Sequence, residues 1–151
     1  NKNEVLDNKI KLVKTNRGGK ITLHNPGQKI IYLALDLNHR KKDVRNLVRS
    51  IEMSITEFLK IYKINSYTDK ENIGVWVKGK KIAAIGIRVT QWIAYHGCSI
   101  NINNSLRPYK KIIPCGLDNT RVTSIKNEIK KNINNVNENL KKVFIKNLKN
   151  I

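Results

Sequence analysis

The sequence predicts an α+β domain, with helices packed on a mixed, largely antiparallel sheet. Three patterns carry that reading. Residues 74–103 alternate apolar with polar or small residues in three runs separated by tight-turn signals, the pattern of a strand meander. KIIYLALDL at 29–37 is rich in β-formers. Residues 41 to about 63 carry Val44, Leu47, Val48, Ile51, Ile55, Phe58, Leu59 and Tyr62 at helical spacing, so an amphipathic helix can cover one face of the sheet.

Taken in order, IKLVK at 10–14 alternates and is expected to be a strand. RGGKITLHNPGQ, Arg17 to Gln28, is a loop with a short extended piece, punctuated by glycines and an Asn25-Pro26-Gly27 turn. The 29–37 strand follows, then the 41–63 helix, which Asn38 is placed to cap or precede. In the meander, Val75 and Val77 form the first strand and Gly79 the turn. KKIAAIGIRV returns as the second, Thr90-Gln91 turns the chain, and WIAYHGCSININ is the third. The second strand is rich in small residues, which lets another group approach its backbone. SLRPYKKIIPCGLDN reads as a loop with two prolines. Thr123 is the expected cap of a helix from about Ser124 to Ile133. After Asn134-Asn135, a last helix puts Leu140, Val143, Phe144 and Leu148 on one face.

The 151 residues fit one domain, and 40% hydrophobic residues supply a core. No apolar run is long enough to span a membrane, and the first residues lack the apolar stretch of a signal peptide. The chain is therefore expected to be soluble and cytoplasmic, and a monomer is the default expectation. Thirty Lys+Arg against 11 Asp+Glu give a net charge of +19, a flag for nucleic-acid binding. The excess is mostly lysine, spread along the whole chain with Asn and Ile, and aromatics make up only 6%, too few for stacking platforms. Neither a nucleic acid nor a membrane is the expected partner. An acidic protein suits the surface better. Two cysteines, Cys98 and Cys115, make no disulfide framework, and with His24, His39 and His96 they show no zinc-ligand spacing, so no metal is expected.

Cys115 lies in Ile113-Pro114-Cys115-Gly116, where proline sets the approach and glycine removes bulk after the thiol. That suits a nucleophile on an open loop, and equally a small inert cysteine. A nucleophile needs a cation to favour its thiolate. His24, His96 and Lys81 are candidates by residue type, although a lysine beside Lys78 and Lys80 also reads as an exposed strand-edge residue. Gly18-Gly19 suits a loop that presents backbone N–H groups to an oxygen, or a simple turn.

Four stretches in order closely resemble the lipoyl(octanoyl) transferase family. They are RGGKITLHNPGQ (Arg17 to Gln28), GVWVKGKKIAAIGIRV (Gly74 to Val89), WIAYHGCSININ (Trp92 to Asn103) and PCG (Pro114 to Gly116), followed by a helix start at Val122. The resemblance spans nearly the whole chain and implies the fold shared with biotin and lipoate protein ligases. It implies an acyltransferase without a cofactor, the donor thioester being already activated. Octanoyl-acyl-carrier protein would load Cys115 as a thioester. The lysine of a lipoyl domain of a 2-oxoacid dehydrogenase, or of the glycine-cleavage H protein, would then take the acyl group as an amide. By the same resemblance Lys81 lowers the pKa of Cys115. Three stretches would line the substrate site. One is Arg17, Gly18, Gly19, Lys20, Ile21, Thr22, Leu23 and His24. The second is Ala84, Ile85 and Gly86. The third is Gly97, Cys98 and Ser99, with His96 beside it. Backbone N–H groups near Gly86 or Gly97 would hold an oxyanion, worth roughly 3 kcal/mol per donor.

The chain departs from the family in three places. The usual histidine-glycine-proline-glycine turn reads His24-Asn25-Pro26-Gly27, and Asn tolerates left-handed geometry nearly as well as glycine. Cys98 stands where a small or apolar residue is usual. Sixteen residues precede Arg17, where family members generally have several tens that add a strand and a helix. One catalytic domain over residues 1–151, lacking that strand and helix, is the expectation. The rival readings are an ATP-dependent lipoate or biotin ligase-like enzyme, which needs no cysteine nucleophile, and a non-catalytic basic binding module.

Overall fold

The computed structural model describes residues 5, 11–112, 121–149 and 151. Five strands form one antiparallel sheet in the order β1-β5-β4-β3-β2: β1 (Gln28–Asp36), β2 (Tyr67–Thr68), β3 (Val75–Val77), β4 (Lys80–Thr90) and β5 (Ile93–Asn101). Helix α1 (Val44–Ile61) connects β1 to the far side of the sheet. A 3-10 helix (Arg107–Lys111), α2 (Ile125–Ile129) and α3 (Val136–Leu148) follow β5. The α+β expectation holds, with every ladder antiparallel. Among the described residues the one parallel pairing is an isolated bridge between Lys81 and Val122.

Register decides which residues face the helices. Ile31, Cys98 and Ile85 lie side by side across β1, β5 and β4, and the next row is Tyr32, Gly97 and Gly86. Successive rows face opposite ways. The first row joins the main core, in which Leu47, Ile51, Ile55 and Phe58 of α1 pack with Leu140, Val143, Phe144 and Leu148 of α3. These are the apolar stripes that the helical spacing picks out. The two helices are also joined by Lys146 Nζ on Glu57 at 3.0 Å, and Tyr62 Oη donates to the Asn134 carbonyl at 2.8 Å. The second row is left to the cleft described below.

Several boundaries differ from expectation, each for a local reason. Residues 11–14 form no strand and Leu12 and Val13 are exposed, because this stretch leads into a segment bound across β4 and β5 instead of pairing in the sheet. The turn of the β4–β5 hairpin is Gln91-Trp92, one residue later than Thr90-Gln91. Both residues have positive φ, at 51° and 61°, the twist that suits a two-residue hairpin. Asp43, not Asn38, caps α1 by accepting from Asn46 N at 2.9 Å. Asn38 instead donates to the Gln91 carbonyl. Ser124, not Thr123, caps α2, which stops at Ile129 because Lys130 turns left-handed at φ 58°. Thr123 spends its hydroxyl on Glu128 Oε1 at 2.6 Å. Strand β2 and the 3-10 helix lie in stretches that the sequence patterns leave unassigned or as loop.

Candidate active site

Strand β3 has three residues and β4 has eleven, so β3 covers only the first part of β4. Beyond Ala83 that edge of β4 is open, and the chain from Thr15 to His24 runs against it. Between them lies a cavity of about 470 Å³. Its wall includes Arg17 and Thr22 of the loop, Ala84 and Gly86 of β4, and Gly97 and Cys98 of β5. Ile30 to Tyr32, Val48 of α1, the Glu71–Ile73 turn and Lys81 close it. Lining residues come from both rows of the sheet, so the cavity wraps the open edge.

Two glycines, Gly86 and Gly18, let the loop come this close, and a third, Gly97, lets β1 approach β5. A Cβ on Gly86 would sit 2.8 Å from Arg17 Cδ and 3.0 Å from the Gly18 carbonyl oxygen, and one on Gly18 would sit 2.8 Å from the Ile87 carbonyl. A Cβ on Gly97 would collide with the Ile31 carbonyl. The loop is tied down by Gly18 N donating to Ile87 O at 3.0 Å, and it is shaped by Arg17 Nη1 donating to the Gly18 and Lys20 carbonyls at 2.9 Å each. Asn16 extends the tie: its carbonyl accepts from Arg88 and its Oδ1 is 2.8 Å from His96 Nε2.

Within this loop the extended chain alternates. Lys20, Thr22 and His24 line the cavity, whereas Ile21 and Leu23 are not in its wall. Leu23 is buried with Tyr109 and Ile112 in a second small core. The residues on either side of the turn are fastened by a polar network. Gln28 Nε2 donates to Asn101 Oδ1 and Tyr109 Oη at 2.8 and 3.0 Å, and Gln28 Oε1 meets His24 Nδ1 at 2.7 Å. In the His24-Asn25-Pro26-Gly27 turn the left-handed residue is Gly27, at φ +88°, not Asn25. Asn25 contributes its amide: Nδ2 donates to the Ser105 carbonyl and Oδ1 accepts from Asn104.

Lys81 is at the cavity's edge, opposite Trp76 of β3. Its Nζ donates to the Ile73 carbonyl at 3.0 Å and lies 5.0 Å from the Trp76 ring centroid. Its backbone is held on the other side by the returning chain: Lys81 N donates to Arg121 O at 2.8 Å and Thr123 N donates to Lys81 O at 3.0 Å. Cys115, with Pro114 and Gly116, lies outside the described residues. Its segment leaves the described structure at Ile112 and rejoins it at Arg121, directly beside Lys81. Arg121 follows Cys115 by six positions, a tether of at most about 22 Å.

Cys98 lines the same cavity but is buried, and burial pushes its thiol up to about 12. It behaves as a small apolar group at neutral pH. His96 also lines the cavity and has a positive φ of 67°, unusual inside a strand. Among the described residues no three His, Cys, Asp or Glu side chains cluster in a metal-binding arrangement. No helix among them is long and apolar enough to cross a membrane. Charged lining residues are Arg17, Lys20 and Lys81 against Glu71, so the mouth is net basic.

Sequence reasoning did not find Val48, Tyr32 or the Glu71–Ile73 turn, which reach the site only through tertiary packing. It also passed over Glu52, on the buried face of α1 at 8% exposure. Its Oε1 accepts from Gly74 N at 3.2 Å, and burial raises its carboxyl above the ordinary range, against the opposing pull of the Gly74 N–H, Arg49 and Lys81. A charged residue interrupting the 3.6-residue stripe was the available signal.

The family model of the lipoyl protein ligase A/B catalytic domain matches residues 1–148. Octanoyltransferases of Anaplasma phagocytophilum and Buchnera aphidicola are 44% and 42% identical over 127 and 125 residues, covering 81% and 83% of this chain and 61% and 59% of their own. The chain thus spans about three-fifths of the length of these curated relatives. An octanoyltransferase of Rickettsia bellii is 46% identical over 125 residues, 78% of this chain and 60% of its own. Among solved structures, a lipoate-protein ligase A bound with ATP superposes with a TM-score of 0.79 at 15% identity, covering 98% of this chain and 65% of its own. A biotin protein ligase from Aquifex aeolicus gives 0.64 at 21%, over 82% of this chain and 53% of its own. These structures share the fold.

Proposed function

Because the chain belongs to the lipoyl protein ligase A/B catalytic-domain family, we propose that it transfers octanoyl groups from octanoyl-acyl-carrier protein to the lysine of lipoyl domains. The acceptors are lipoyl domains of 2-oxoacid dehydrogenases and the glycine-cleavage H protein. Residues 1–151 act as one catalytic domain, a cytoplasmic monomer.

In the first step the Cys115 thiolate attacks the donor's thioester carbonyl. The tetrahedral oxyanion collapses, the carrier's thiolate leaves and takes up a proton, and Cys115 carries the octanoyl thioester. In the second step the acceptor's neutral ε-amine attacks that carbonyl, loses a proton, and expels the Cys115 thiolate as the amide forms. Lys81 places a cation where it favours the thiolate at both ends of the cycle. The cavity holds the acyl chain. Each methylene moved from water into its apolar part contributes up to roughly 0.8 kcal/mol. Ala84, Gly86 and Gly97 line the cavity, and Arg17 to Gly19 form its outer wall.

The observation that supports this reading most is the pairing of Arg121–Thr123, which follow Cys115 closely in the chain, with Lys81 at the basic edge of an apolar cavity. The relatives named octanoyltransferase agree in activity class. The rival is an ATP-dependent ligation, suggested by the likeness to a lipoate-protein ligase A bound with ATP. Transfer from octanoyl-carrier protein to a lipoyl domain, assayed with and without ATP, separates them. The proposal expects ATP-independent transfer that Cys115→Ser abolishes while the protein still melts cooperatively. Strict ATP dependence, or full activity in Cys115→Ser, overturns it.

A further inference from the structure

Glu52 is the one acid of α1 that lies on its buried face, amid Ile51, Ile55 and Leu59. A carboxylate there costs stability unless a donor satisfies it. The donor it meets is the Gly74 N–H, at the end of the turn that precedes β3.

That turn surrounds the Lys81 side chain. Ile73 supplies the carbonyl that accepts from Lys81 Nζ at 3.0 Å. Gly74, at φ +138°, lies so close that a Cβ on it would be 2.9 Å from Lys81 Cε and 3.4 Å from Nζ. Asn72 accepts from Trp76 Nε1 at 3.0 Å, placing the indole 5.0 Å from the Lys81 ammonium. Asp69 closes the turn at its start, accepting from Glu71 N and the Asn72 amide. Ile73 and Gly74 are adjacent in the chain, so whatever fixes the Gly74 amide also aims the Ile73 carbonyl.

We infer that Glu52 is a positioning residue for Lys81: its carboxyl oxygen, held by the helix, anchors the Gly74 N–H and so sets the Ile73–Gly74 cradle that points the ammonium into the cavity. The inference rests on the proposed role of Lys81 beside Cys115. Glu52 touches no reacting atom in this scheme. It ties the turn to the rigid frame of α1. An acceptor oxygen is what the position requires, so glutamine can substitute and an apolar side chain of similar size cannot.

The test is the rate of Cys115 alkylation by iodoacetamide as a function of pH, read by peptide mass in the intact chain. Four proteins are compared: wild type, Lys81→Met, Glu52→Met and Glu52→Gln. Thermal melts on each confirm folding. Methionine fills the glutamate's volume, so the fold survives the loss of the acceptor. The expected result is that Lys81→Met moves the Cys115 profile upward by about one pH unit, slowing alkylation at neutral pH about tenfold. Glu52→Met follows it at least halfway, and Glu52→Gln keeps most of the wild-type rate. A Glu52→Met profile that overlays wild type while Lys81→Met shifts overturns the inference alone. A Glu52→Gln profile as displaced as that of Glu52→Met overturns the acceptor role. An unshifted Lys81→Met profile brings down the Lys81–Cys115 pairing itself, and this inference with it.

Discussion

Replacing Gly86 by alanine tests whether the Arg17–Gly19 loop is a wall of the reactive cleft. The added methyl would lie 2.8 Å from Arg17 Cδ and 3.0 Å from the Gly18 carbonyl oxygen. The first contact is with the middle of a side chain already committed to two carbonyls, and the second is with backbone. The loop must therefore lift. Lifting it releases Gly18 N from Ile87 O and strains the two Arg17 hydrogen bonds. Such exposed bonds contribute at most about 1 kcal/mol each, and overpacking of this kind costs roughly 1–3 kcal/mol. The loop lies outside the main core, so the melting temperature is expected to fall by only a few degrees. The cleft is affected more. A displacement near 1 Å at a positioned substrate costs about 100-fold in rate. Quenched-flow measurement of acyl-enzyme formation from an octanoyl thioester is expected to fall by about that factor in Gly86→Ala. Gly79→Asn is the control. It has a positive φ, at +75°, which Asn tolerates, and no atom lies within 4 Å of a built Cβ. Its acylation rate is expected to match wild type. A Gly86→Ala protein that acylates within about threefold of wild type refutes the account of the loop.

Cys98, buried and with its thiol pushed up to about 12, is expected to resist iodoacetamide in the folded protein and react only on unfolding. Labelling of native Cys98 at the rate of Cys115, read by peptide mass, would contradict its placement. Glu52 gives a stability signature. Its folded pKa is raised above the ordinary 4.5, so the native state binds the proton more tightly than the unfolded chain. Its effect on stability is therefore neutral below the unfolded value and becomes unfavourable as pH rises from about 4.5 through the raised folded value. Urea melts across that window are expected to show a shallower loss of stability with rising pH in Glu52→Gln than in wild type. Identical slopes would show that Glu52 does not titrate abnormally.

Much of the architecture is legible in the sequence because its elements announce themselves locally. The alternation in Ile30 to Leu35 and in Lys80 to Thr90 is half-buried sheet, and the stripe from Leu47 to Phe58 is a helix on that sheet. What escapes is set by partners distant in sequence. Residues 11–14 alternate like a strand, but the segment that follows is captured by Ile87, Arg88 and His96. Asp43 and Ser124 win the capping positions from Asn38 and Thr123 because the latter bind Gln91 and Glu128 instead. In the site, the Arg17–His24 stretch reads as a loop from its glycines, yet its extended chain alternates, with Lys20, Thr22 and His24 in the wall and Leu23 in a separate core. Val48 and Ile73, from α1 and the turn before β3, meet the cavity only through tertiary packing. Cys115 lies outside the described residues, so the sequence alone carries its assignment, and the structure shows only that Arg121 to Thr123, further along the chain, pair with Lys81.

The central claim is that this chain carries an octanoyl group on Cys115. Incubating the protein with octanoyl-acyl-carrier protein, without ATP or acceptor, and measuring its intact mass tests that most directly. The account expects a gain of one octanoyl group, mapped to the peptide holding Cys115, lost in Cys115→Ala and retained in Cys98→Ala. No mass gain in the wild type, or a gain that survives Cys115→Ala, contradicts it.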